Sequence, residues 1–141
     1  MPVYLVGFPL LLIPFAIYNI VTLLFSSDLT AGLFSVRMIS GGTWNVSMSD
    51  IILVVGILML FVEILKSTRI GNRSIVDHML SLVLLLAMLG EFMTVRAAAT
   101  STFFLLTAMA LVDVVAGFSI TIRAAQRDIA YDPVHPANPN L

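Results

Sequence analysis

Cysteine is absent from this chain, and histidine occurs only as His78 and His135. Disulfides, thiolate metal sites and iron–sulfur ligation are therefore excluded. No pair of histidines falls inside the apolar segments, which argues against a bis-histidine haem. Charge is also scarce. Asp, Glu, Lys and Arg make up 11% of the residues, against about 25% in an ordinary soluble domain. A net charge of −1 offers no basic patch for nucleic acid. There is no phosphate-cradling glycine loop and no zinc-protease helix motif. The expectation is a chain with no cofactor, no metal, no catalytic constellation and no nucleic-acid partner.

What the sequence does have is apolar surface, with 60% of its 141 residues hydrophobic. A soluble fold of this size has no interior large enough to hide that much, so the lipid bilayer is the expected solvent and first partner. The opening stretch MPVYLVGFPLLLIPFAIYNIVTLLFSS lacks a basic n-region and a small-x-small cleavage signature. It reads as a retained span.

A hydrocarbon core of about 30 Å takes about 20 helical residues. Four segments fit, at about 3–25, 50–66, 75–95 and 101–123. The expected fold class is an all-α membrane protein, a four-transmembrane-helix bundle forming one domain over 1–130. The Pro-rich tail 131–141 follows on the cytoplasmic side. Ser47 with Asp50, and Ser74 with Asp77, fit the S-x-x-D pattern that starts a helix. Gly71-Asn72 separates the second and third segments, and Arg96 with its alanine run separates the third and fourth. Pro9 and Pro14 are expected to kink the first span.

Between the first two spans, LFSVRMISGGTWNVSM alternates. Phe34, Val36 and Met38 oppose Ser35 and Arg37; Trp44, Val46 and Met48 oppose Thr43, Asn45 and Ser47. Alternation about Gly41-Gly42 predicts a short β-hairpin in the first extramembrane loop, the other reading being an irregular loop. Its apolar side would lie on the end of the bundle or on the lipid headgroups. Lys66, Arg69 and Arg73, together with Arg123 and Arg127, fall on one side of a four-span chain, leaving Arg37 and Arg96 on the other. The positive-inside rule then puts both termini in the cytoplasm.

Three groups of polar residues stand out. Asp113 lies in the run LLTAMALVDVVAGFSITI, about 20 Å from the outer end of the fourth span. A charge at such depth costs about 2.5–3.5 kcal/mol on insertion scales, so it must face protein or trapped water. Ala110, Asp113, Gly117 and Thr121 recur at helical spacing as a small, polar stripe suited to close packing, within the bundle or with a second chain. Glu91 is the second deep carboxyl. It shares a face with Asp77, Ser81, Leu84 and Met88, and Asn19 lies at about its depth and is its expected partner. Arg96 is a second candidate partner, reaching back by snorkelling. The third group, Glu63, Lys66, Asp77 and His78, gathers at the cytoplasmic rim. An interfacial anchor is the plain reading; a Glu–His sensor of cytoplasmic pH is the sharper one. For Asp113 and Glu91 the plain reading is interhelical hydrogen bonding. The sharper one is proton or ion coupling.

The stretches FVEILKSTRIGNRSIVDHMLSL and STFFLLTAMALVDVVAGFSITIRAAQRDI resemble a family of small four-helix membrane proteins of proteobacteria that has no assigned function. The resemblance covers the second to fourth spans. It implies a bacterial inner-membrane protein and carries no functional residue across. The function expected first is a structural or accessory subunit that packs against another membrane protein or forms a homo-oligomer. A small proton- or ion-coupled transporter comes second, and a membrane-embedded enzyme at the cytoplasmic rim third, which would require a hydrated pocket around Glu63 and His78.

Overall fold

The computed structural model describes residues 7–69 and 73–130, with Arg73 and Ser74 described in their backbone alone. The expected Gly71-Asn72 break and the tail 131–141 lie outside the described residues.

Three helices are long and apolar enough to cross a membrane: α2 (Met48–Ser67), α3 (Arg73–Thr94) and α4 (Ser101–Ala130). Their apolar stretches match the expected second, third and fourth spans. The helix α4 runs on past the expected end at 123. Its 30 residues rise about 45 Å, more than a bilayer core, so the final turns with Arg123, Arg127 and Asp128 extend beyond the hydrocarbon. It is also the central helix, packing along both α2 and α3.

The first helix departs from expectation. Helix α1 (Leu12–Asn19) passes into a π-helical turn at Ile20–Leu24, and together they give 13 residues, or about 20 Å. That is too short by itself to cross about 30 Å of hydrocarbon. The expected span at 3–25 is corrected to a helix over its second half; residues 3–6 lie outside the described residues. The proline kink is corrected too. Pro9 lies in the turn ahead of α1, where its carbonyl accepts from the Leu12 N–H at 3.0 Å. Pro14 is in the first helical turn, where a missing N–H breaks no helical bond.

The hairpin is present. Strands β1 (Gly32–Arg37) and β2 (Thr43–Ser47) pair antiparallel, with Phe34 opposite Val46 and Val36 opposite Trp44. Leu33 bulges out of the ladder between Gly32 and Phe34. The turn closes through Gly41 N–H to the Met38 carbonyl (3.0 Å) and Met38 N–H to the Gly42 carbonyl (2.8 Å). Gly41 sits at φ +87°, a left-handed conformation that glycine adopts without a Cβ clash. β2 runs directly into α2 because Ser47 is also its N-cap: its hydroxyl accepts from the Asp50 N–H while the Asp50 carboxylate accepts from the Ser47 N–H. Ahead of the hairpin, the Thr30 hydroxyl and amide donate to Asp28 and hold its carboxyl below the usual carboxylate range.

The buried core joins Tyr18 of α1, Ile52 of α2, Leu84, Leu85 and Met88 of α3, and Phe103, Leu106, Ala110 and Val114 of α4. Gly56 lets α2 come close to α4: a Cβ there would stand 2.9 Å from the Met109 sulfur. The half of the core toward the hairpin end of the bundle is aromatic, with Phe15, Tyr18 and Phe92 all packed on the ring of Phe103.

Candidate functional site: a buried polar cluster between three helices

Glu63 lies in the last turns of α2, His78 and Ser81 in the first turns of α3, and Asp113 midway along α4. All four are buried, between 4% and 5% exposed. With Lys66, Ser67 and Asp77 they line one cavity of about 10 Å³. That is room for about one water molecule. It is not room for a substrate.

The contacts explain why the chain tolerates so many polar groups there. The Lys66 ammonium pairs with the Glu63 carboxylate at 3.1 Å and donates to the Phe8 carbonyl at 2.9 Å. The Glu63 carboxylate also accepts from the Leu10 N–H at 3.4 Å. One ion pair on α2 thus holds two backbone groups of the segment leading into α1, including a donor that the start of the helix leaves unused. The Ser67 hydroxyl donates back to the Glu63 carbonyl (3.1 Å). Across the cavity Ser81 hydrogen-bonds Asp113, with His78 and Lys66 in electrostatic range of the same carboxyl. His78 Nε2 meets the Thr121 hydroxyl at 2.9 Å, and that hydroxyl also donates to the Gly117 carbonyl (3.0 Å). Among the described residues no three acidic or histidine side chains converge as a metal ion would need.

The small-residue stripe on α4 therefore faces the chain's own helices. Ala110 is in the core, Asp113 meets Ser81, Gly117 seats the His78 ring, and Thr121 binds its nitrogen. The fit at Gly117 is tight: a Cβ there would stand 2.5 Å from His78 Nδ1 and 2.6 Å from Cε1. Replacing this glycine by alanine sets two effects against each other. Helix propensity favours alanine by about 1 kcal/mol, whereas overpacking costs about 1–3 kcal/mol and here also displaces a ring held by Thr121. Gly117→Ala is expected to lower stability in detergent by about 1–2 kcal/mol, read from the unfolding midpoint. A rise would show that the ring moves aside freely.

Glu91 belongs elsewhere. Its carboxylate accepts from the Asn19 side-chain amide at 3.2 Å, the partner expected from depth. It is not grouped with Asp113: ten residues of α3, about 15 Å, separate Ser81 from Glu91, and Leu84, Leu85 and Met88 fill the space with buried apolar surface. Asp113 instead joins the rim residues Glu63, Asp77 and His78 around one cavity, a grouping that depth along α4 alone does not indicate. Single oxygens of Asn19, Glu91 and Asp77 are buried without a hydrogen-bond partner.

Sequence reasoning missed a second polar knot. The Tyr18 hydroxyl donates to the Ala97 carbonyl (2.8 Å) and accepts from the Thr100 hydroxyl (2.6 Å). Nearby the Ser49 and Thr102 hydroxyls bind each other between α2 and α4. No spacing rule points to Tyr18, because its partner is a backbone carbonyl in the 3₁₀ turn Arg96–Ala98.

No protein-family model matches the chain, and neither the curated proteins nor the solved structures contain a significant match. The functional reading thus rests on the residues themselves.

Proposed function

We propose that this chain is a small polytopic inner-membrane protein that serves as a structural or accessory subunit packing against another membrane protein. The observation that carries the proposal is where the polar groups go. Glu63 is spent on Lys66, Asp113 on Ser81 and Glu91 on Asn19, all within one chain. The helices are fastened to one another from inside. The outward faces are left apolar: Val54, Ile57, Leu58 and Phe61 on α2, and Leu111, Val112 and Val115 on α4 are all exposed. Without a hydrophobic drive between helices in lipid, lateral association works through packing on such faces.

The cysteine-free sequence makes the test direct. Single cysteines at Leu58, Phe61, Leu111 and Val115, probed with a short thiol cross-linker in native membranes, are expected to join one face to one defined protein. Cross-linking to no protein at any of the four positions would reject the subunit reading.

A second reading is favoured by the cavity. A water-sized space lined by three carboxylates, a lysine and a histidine is what a proton-coupled transporter would keep at one membrane face. In that case Asp113→Asn abolishes proton-coupled flux in vesicles while the bundle stays folded. As a fastener, Asp113→Asn keeps a hydrogen-bonding side chain of similar size. It is then expected to change stability by no more than about 1–2 kcal/mol and to leave vesicle pH unaffected.

A further inference from the structure

The apolar face of the hairpin has no cover inside the protein. Phe34 is 55% exposed, Val36 39% and Trp44 50%, and the paired register puts all three on one side. Of that side only Val46 is buried. The opposite side carries Ser35, Arg37, Thr43 and Asn45. Two isolated strands with such a face do not hold themselves together well in water. The hairpin is also not free to go elsewhere. β2 becomes α2 at Ser47 without an intervening residue, and the Ser49 N–H donates to the Leu29 carbonyl at 3.1 Å, tying the lead-in to the same helix start. Trp44 is three residues from the cap, about 10 Å of extended chain. The polar belt between the hydrocarbon and bulk water is about 5–8 Å thick on each side, so that tether keeps Trp44 within reach of it.

We infer that the hairpin is a membrane-interface anchor, lying with Phe34, Val36 and Trp44 against the lipid of the leaflet in which α2 begins and with its polar side toward water. The occupant is lipid because the face continues an apolar helix that itself ends in lipid. An indole at the headgroup level is also the usual aromatic anchor. This inference stands whether the protein is a subunit or a transporter.

Trp44 is the single tryptophan of the chain, so its fluorescence reports this face alone. The full-length protein is reconstituted in phosphatidylcholine vesicles and excited selectively at the indole. Lipids carrying bromine at shallow or deep acyl positions serve as one quencher, and iodide on both sides of the membrane as the other. The expected result is blue-shifted emission, strongest quenching by the shallow bromines, and iodide quenching several-fold below that of a free indole. Phe34→Asp, which charges the same face, is expected to red-shift the emission and raise iodide quenching. Ser35→Asp, on the polar face, leaves both unchanged and controls for folding. Strong iodide quenching without bromolipid quenching in the unaltered protein would overturn the inference, since the face would then lie in water. Shielding from both quenchers, relieved by diluting the protein in lipid, would also overturn it and assign the face to a second copy of the chain.

Discussion

Replacing Lys66 by methionine should be among the most damaging single changes in the protein, costing about 3–5 kcal/mol. The ammonium is the cation of the buried pair and also binds the Phe8 carbonyl. Without it the Glu63 carboxylate, 4% exposed, stays buried beside Asp113 with, among the described residues, the Leu10 N–H as its remaining hydrogen-bond donor. The cost of removing one partner is larger than the net worth of the pair, because most of it is the unpaired charge left behind. This gives the prediction its sharp form. Glu63→Gln with Lys66→Met removes both charges at nearly constant volume and is expected to recover most of the loss. The cycle is read from unfolding midpoints in detergent. A double variant as unstable as Lys66→Met alone would mean that the Lys66–Phe8 contact, and not the ion pair, does the holding.

Tyr18→Ala is the second large effect, for a different reason. The ring is fully buried and lies edge-on to Phe103 with centroids 5.0 Å apart. Removing it leaves a hole in the aromatic half of the core, worth about 3–5 kcal/mol for an aromatic side chain. The hydroxyl contributes less. Interhelical hydrogen bonds in membranes average about 0.6 kcal/mol and reach about 1.7. Tyr18→Phe should therefore cost no more than about 1.7 kcal/mol, a minor part of the alanine effect. Comparable losses for the two variants would show that the bonds to Ala97 and Thr100, and not the packing, fix α1 to the bundle.

The parts of the structure that were legible in the sequence were those governed by local chemistry. Ser47 and Asp50 announce a capping box at their spacing, and the alternation about Gly41-Gly42 announces the hairpin, because both need only neighbouring residues. Depth along a helix was also readable, since rise per residue is fixed. That is why Asn19 could be matched to Glu91. The first helix departs from the expected span because hydropathy over 3–25 does not say where the backbone turns, and Pro9 lies in the turn ahead of the helix instead of bending it. Asp113 was placed correctly along its helix but assigned to the wrong company. Its depth was counted from the outer end of α4, that of Glu63 and His78 from the other side, and the offset between helices is a tertiary quantity. The stripe Ala110, Asp113, Gly117 and Thr121 was recognisable as an interface, yet its partner was not. The choice of His78 over a second chain depends on the rotation of α3, which no spacing on α4 encodes.

The account holds that the intramembrane polar residues bind the chain to itself and leave its outer faces for another protein. Its most direct test is gentle extraction from native membranes, with the mass and identity of everything that stays bound measured for the unaltered protein and for Asp113→Asn. The account predicts a defined hetero-complex of fixed stoichiometry, retained in the variant because Asp113 faces Ser81 and not the partner. A bare monomer or homo-oligomer in both, with proton flux in vesicles that disappears in Asp113→Asn, would contradict it and establish the cluster as a transport site.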